Sequence, residues 1–195
     1  MGRPNRILVD GGVYHIINRG HNRYKVFNSL DDYKAYKDII RRYKEDFKFD
    51  LFHYCLMPNH IHLLLRISRG IELPRLMQAM TQAYAKHYKK QYKFIGNLFQ
   101  GRYKSPYIDK DEYLLECGRY IERNPLRAHM VSDLSQYNFS SYNFYAGGKK
   151  DDIITENPLY KALSSDPSMQ KRLYREYLLQ ERPYENIIDK EFKIS

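Results

Sequence analysis

Met57-Pro58-Asn59-His60-Ile61-His62-Leu63-Leu64-Leu65 is the stretch on which the fold turns. Met57-Pro58-Asn59 is a short turn signal. From His60 to Ile67 the chain alternates as a strand does, with Ile61, Leu63 and Leu65 on one face and His60 and His62 on the other. Phe49 to Leu56 reads as a preceding strand, so 49–67 is a predicted β-hairpin. An all-apolar strand face belongs against helices, which turns both imidazoles toward the opposite face of the sheet.

Working outward, Val13 to Asn18 reads as a strand entered through Gly11-Gly12 and left through Gly20. From Leu30 to Phe47 the residues Tyr33, Tyr36, Ile39, Ile40 and Tyr43 recur at helical spacing, with Asp31 near the positive N-terminal end. Leu73 to Tyr92 is a second helix. Leu76, Met77, Met80, Tyr84 and Tyr88 mark its apolar face, and Lys86, Lys89, Lys90 and Lys93 gather toward its C-terminal end. Leu98 to Ile108 reads as a fourth strand, placed at an edge by Pro106. Asp109-Lys110-Asp111 opens a third helix, expected to run to Asn124 and stop at Pro125.

The order β-α-β-β-α-β-α predicts an α+β fold, a ferredoxin-like split βαβ sandwich with an antiparallel sheet and one added helix. Two helices cover one sheet face and leave the other open for chemistry. We expect a domain over 1–131 and a helical C-terminal extension over 132–195, packed on it. Within the extension, Gly147 to Asp152 reads as an exposed turn, and 158–182 as one or two short helices striped by Leu173, Tyr177 and Leu178.

Composition narrows the class. The 195 residues are 43% hydrophobic, enough for a core. A formal charge of +10, from 33 Lys plus Arg against 23 Asp plus Glu, favours a polyanionic partner, although a solvated basic surface gives the same sum. Cys55 and Cys117 form neither a disulfide framework nor a CxxC clip. No apolar run follows the basic start, and none is long enough to span a membrane, so a soluble cytoplasmic protein is expected. With 20 tyrosines in the chain, only position can single one out.

Two imidazoles side by side on a rigid strand make half of a site for a divalent ion. A bare His-x-His pair is more often simply hydrogen-bonded to neighbours. Tyr120 and Asn124, four residues apart, share a face of the 113–124 helix. Leu114, Gly118 and Ile121 form the neighbouring face, with Gly118 allowing close approach to the sheet. If that helix lies across the open face, the Asn124 amide oxygen completes a three-ligand site and the Tyr120 hydroxyl lies one turn away. Spacing alone leaves both as ordinary helix residues.

Met57-Pro58-Asn59-His60-Ile61-His62-Leu63-Leu64 resembles the HUH motif of the single-tyrosine transposases, and Arg119-Tyr120-Ile121-Glu122-Arg123-Asn124-Pro125-Leu126-Arg127-Ala128 resembles their catalytic-tyrosine helix. Three more blocks agree in order: Gly2-Arg3-Pro4 with Tyr14-His15 and Asn18-Arg19-Gly20, then Gly96 to Ser105, then Ser140-Ser141-Tyr142. Asn124, in place of the glutamine of the insertion-sequence enzymes, is similar to the REP-associated tyrosine transposase branch. Glu122-Arg123 departs from the usual His-Leu, and Phe139 stands where tryptophan is usual. Residues 147–195 carry no resemblance.

The resemblance implies a transposase or endonuclease that cleaves and rejoins single-stranded DNA at hairpin-forming repeats. Mg²⁺ or Mn²⁺ held by His60, His62 and Asn124 polarises the phosphate, and Tyr120 forms a 5′-phosphotyrosine. Arg19, Gln100, Arg102, Lys104 and Arg123 are the expected DNA contacts, chosen from family blocks and charge. Related enzymes exchange the tyrosine helix as dimers, so both a monomer and a homodimer are compatible with the chain. The main rival is a catalytically silent single-strand-binding module. A replication initiator or relaxase would need a larger chain, and a structural zinc site would need four closed ligands.

Overall fold

The computed structural model describes residues 6–180, so the Gly2-Arg3-Pro4 block and the last residues of the extension lie outside it. Strand β1 (Val13–Arg19) is followed by α1 (Leu30–Phe47), the hairpin β2 (Phe49–Met57) and β3 (His60–Ile67), α2 (Leu73–Tyr92), β4 (Tyr107–Ile108) and α3 (Asp111–Arg127). Short helices α4 (Tyr142–Tyr145) and α5 (Pro158–Lys161) lead to α6 (Pro167–Leu179). The sheet runs β2-β3-β1-β4 with all pairs antiparallel, the order of the expected ferredoxin-like arrangement.

Alternation sorts the sheet into two faces. Tyr14, Ile16, Ile61, Leu63, Leu65 and Ile67 pack with Tyr36 and Ile40 of α1 and Leu76, Met80 and Tyr84 of α2. Ser29 and Asp32 close the start of α1 with a capping box, each side chain taking the other's backbone N–H. A bulge between Leu51 and His53 lets Phe52 and His53 both face away from α1 and α2.

The other face is not open. Helix α3 lies across it, and Leu114, Cys117, Tyr120 and Ile121 pack with Phe52, Cys55, Met57 and Leu64. Gly118 is what allows the approach, since a Cβ there would stand 2.6 Å from His53 Nε2. The α3 boundary also differs from the expectation. Pro125 lies within the last turns, and the helix continues to Arg127. Proline leaves the Ile121 carbonyl without its usual donor, and the Asn124 side-chain amide replaces it at 3.2 Å.

The expected fourth strand is shorter as well. Only Tyr107–Ile108 pairs regularly; Lys104 forms an isolated bridge to Ile17 of β1, and Phe99 one to Gly20 just past its end. Gly101, at φ +68°, lies between the two bridged residues, where the regular ladder is interrupted. The edge placement of Pro106 holds, its carbonyl accepting from His15 N at 3.1 Å.

The region after Ser132 wraps the β2 and α3 side. Leu56 N donates to Phe139 O, and Thr155 N to Leu51 O. In α6 it is Tyr174 with Leu178 that is buried, rather than the expected Leu173 and Tyr177. Asp151 and Asp152, in the stretch read as an exposed turn, are drawn down to Lys37 and Arg41 of α1.

Candidate active site

Strand pairing delivers three histidines to one place. His60 and His62 leave β3 on the α3 face, and His15 leaves β1 beside them, with Ile17 opposite His62 and Arg19 opposite His60. The rings of His60 and His62 stand 4.9 Å apart between centroids, and those of His62 and His15 5.1 Å apart. His15 Nε2 and His62 Nδ1 share a hydrogen bond of 2.9 Å.

Burial makes all three rings neutral at neutral pH. Desolvation lowers His15 to about 3 and His60 to about 4, and holds His62 well below the ordinary histidine value. The charges of Arg19 and Arg127 push His62 the same way, while the adjoining Asn124 side chain opposes the shift at His60. A neutral imidazole keeps a lone pair, the state in which it ligates a metal.

For His60 the hydrogen bond it makes fixes where the lone pair is. His60 Nδ1 donates to Asn59 Oδ1 at 2.6 Å, which leaves the lone pair on Nε2. The Nε2 atoms of His60 and His62 are both buried with no hydrogen-bond partner among the described residues. Asn124 is oriented by its own helix, because its Nδ2 donates to the carbonyls of Tyr120 at 2.9 Å and Ile121 at 3.2 Å. Two carbonyl acceptors can be met only by the NH₂ end, so the amide oxygen is the atom left for the site.

Two bare imidazole nitrogens and one amide oxygen therefore suit a divalent cation as a three-ligand, incomplete set. No third His, Cys, Asp or Glu converges with the pair into a metal-ligating group among the described residues.

Tyr120 shares the α3 face with Asn124. Its ring meets His15 and His62 edge-on, each at 5.8 Å, and the Arg127 guanidinium lies 5.2 Å over it. All of this is assembled within one chain. The Tyr120 side chain is fully buried.

The expected DNA contacts divide. Arg19, Gln100 and Lys104 meet at one sheet edge, since Gln100 N donates to Arg19 O at 2.7 Å and Lys104 bridges Ile17. Gln100, Arg102 and Lys104 are exposed, and Arg19 is half-buried near the histidines. Arg123 is elsewhere. Its buried guanidinium donates to Leu178 O at 2.6 Å, capping the end of α6 on another flank of α3, so it does not join the other expected DNA contacts at the sheet edge.

Two neighbours escaped the sequence reading. His15 was visible only inside a family block, because β1 gives no second histidine to mark it. Arg127 lies three residues past Asn124, beyond the proline expected to end the helix.

A ferredoxin-like sheet with a His-apolar-His strand under a helix bearing tyrosine and an amide defines a domain of the HUH class. Residues 9–124 match the family described as "Transposase IS200 like", and the chain belongs to that family, whose members are DNA-cleaving enzymes. It is 24% identical over 155 residues to a putative REP-associated tyrosine transposase of Haemophilus influenzae, covering 73% of this chain and 86% of the relative. Its fold is similar to a solved REP-associated tyrosine transposase bound to a REP hairpin, with a TM-score of 0.66 at 17% identity, covering 80% of this chain and 93% of that one. None of the described helices is long and apolar enough to cross a membrane.

Proposed function

We propose that this protein cleaves and rejoins single-stranded DNA next to hairpin-forming repeats through a covalent bond to Tyr120. The observation that carries the reading is the set of buried, unpaired Nε2 atoms of His60 and His62 beside the outward amide oxygen of Asn124, with Tyr120 on the same helical face. Mere binding of DNA does not need that set, because an imidazole nitrogen buried without a partner carries a cost of about 1–3 kcal/mol.

His60, His62 and Asn124 would hold Mg²⁺ or Mn²⁺, which when bound supplies Lewis-acid polarisation of the scissile phosphate. The chain does the rest. The Tyr120 oxygen bonds to phosphorus, the bond from phosphorus to the 3′ oxygen breaks, and the phenolic proton is balanced by the one the 3′-hydroxyl gains. A phenol ionises near pH ~10 when unperturbed, so positive charge close to it assists, and the Arg127 guanidinium over its ring is placed to give it. Resealing runs the same exchange backwards with a second 3′-hydroxyl and needs no nucleotide energy. Arg19, Gln100, Arg102 and Lys104 at the sheet edge would steer the phosphate backbone. Hairpin DNA is proposed as the partner because the similar solved transposase holds a REP hairpin.

Incubating the protein with labelled single-stranded DNA that carries a hairpin, in Mn²⁺, should give a denaturation-resistant protein–DNA band that EDTA prevents. Retention of the DNA with no covalent band in Mn²⁺ would reject the enzymatic reading and leave a binding module.

A further inference from the structure

His60 and His62 differ in how their outer nitrogens are held. The Asn59 amide oxygen can only accept, so the proton on His60 is set on Nδ1. The partner of His62 Nδ1 is another imidazole nitrogen, Nε2 of His15, 2.9 Å away, and one proton lies between them. If His62 donates it, His62 keeps a lone pair on Nε2, and the proton of His15 sits on its Nδ1. If His15 donates it, the proton of His62 is on Nε2, where it points an N–H into the site and cannot ligate.

We propose that His15 is a positioning residue that accepts from His62 Nδ1 and so holds His62 in the tautomer whose Nε2 binds the cation. The proposal rests on the metal-site reading above. His15 is fully buried and its Nδ1 has no hydrogen-bond partner among the described residues. A residue serving only to fill space there would be better apolar, since an unsatisfied buried donor costs stability. What the histidine adds over a phenyl ring of similar shape is the acceptor at Nε2. Ligating imidazoles are commonly oriented in this way by an acceptor on the second nitrogen, and losing it weakens metal binding about 10–100-fold.

The test uses His15→Phe, which keeps a ring and removes the acceptor, and His15→Gln, which returns an acceptor as an amide oxygen. Mn²⁺ affinity is read by electron paramagnetic resonance of the free ion, and thermal unfolding without metal reports the fold. His15→Phe should bind Mn²⁺ about 10–100-fold more weakly while staying folded, and His15→Gln should recover most of the loss. Wild-type affinity in His15→Phe overturns the proposal, as does equal weakening in both variants, which would mean packing alone. Should His15→Phe fail to fold, nitrogen-15 shifts of the wild-type histidines in Mg²⁺ decide: His62 protonated on Nδ1 supports the proposal, and on Nε2 overturns it. Binding that His62→Ala leaves unchanged takes down the metal reading and this inference together. Binding that needs His62 but ignores His15 removes only the inference.

Discussion

Helix α3 separates two buried polar clusters that are built to opposite rules. On one flank Glu122 is fully enclosed and its carboxylate accepts from His53 of β2, Ser141 and Tyr174 of α6. His53 Nε2 in turn accepts from Asn157 Nδ2 at 2.9 Å, whose Oδ1 takes the Leu159 N–H. Every polar side-chain atom in that chain has a partner. On the other flank, under Tyr120 and Asn124, the described structure leaves His15 Nδ1, His60 Nε2 and His62 Nε2 with none. A closed network holds elements together, whereas an open one keeps bonding capacity for something not yet present. The same helix thus carries its brace on one side and its proposed chemistry on the other.

The largest effect that can break this comparison is loss of the nucleophile. Tyr120→Phe should reduce the covalent DNA band to background while a gel-shift assay still shows hairpin binding, and a surviving band would assign the nucleophile elsewhere. Next is the closed flank. Glu122→Ala strands the donors of His53, Ser141 and Tyr174 in the interior and should cost about 1–3 kcal/mol for each donor left unsatisfied in a denaturant titration; a cost below about 1 kcal/mol in all would mean the network braces nothing.

The open flank should announce itself in acid. His15 and His60 take up protons near 3 and 4 when folded but near pH 6.5 when unfolded, so the unfolded state binds more protons in between. Their stabilising contribution is complete above pH 6.5 and falls as the pH drops toward 4, by about 1.4 kcal/mol per pH unit for each ring. In metal-free protein His15→Phe should make that slope shallower by one ring's share, and an unchanged slope would remove His15 from the account. The smallest effect belongs to the rim. Arg102→Ala should weaken hairpin binding only a few-fold and lower its salt dependence by about one counterion, with no change in metal-free stability.

Most of the site was legible because its markers are local. Strand alternation at His60 and His62 is a matter of two residues, and the shared face of Tyr120 and Asn124 is a matter of helical pitch. What was illegible depends on partners distant in the chain. His15 acquires meaning only because β1 pairs with β3. Arg123 was read as a contact for DNA because a guanidinium in a basic chain suggests phosphate, and nothing local shows that the end of α6 needs its capping. The run to Arg127 was missed because Pro125 normally stops a helix, and the Asn124 amide that compensates is a side-chain contact.

By itself the sequence determined the element order, the antiparallel sheet and the face on which the histidines emerge, since these follow from periodicity and turn chemistry within a few residues. Tertiary structure alone decided that α3 covers the second sheet face, that α6 and Glu122 brace it, and which ring nitrogens are left bare. Hydrogen-bond saturation is a property of the packed interior: whether a polar atom is satisfied depends on neighbours that arrive from far along the chain.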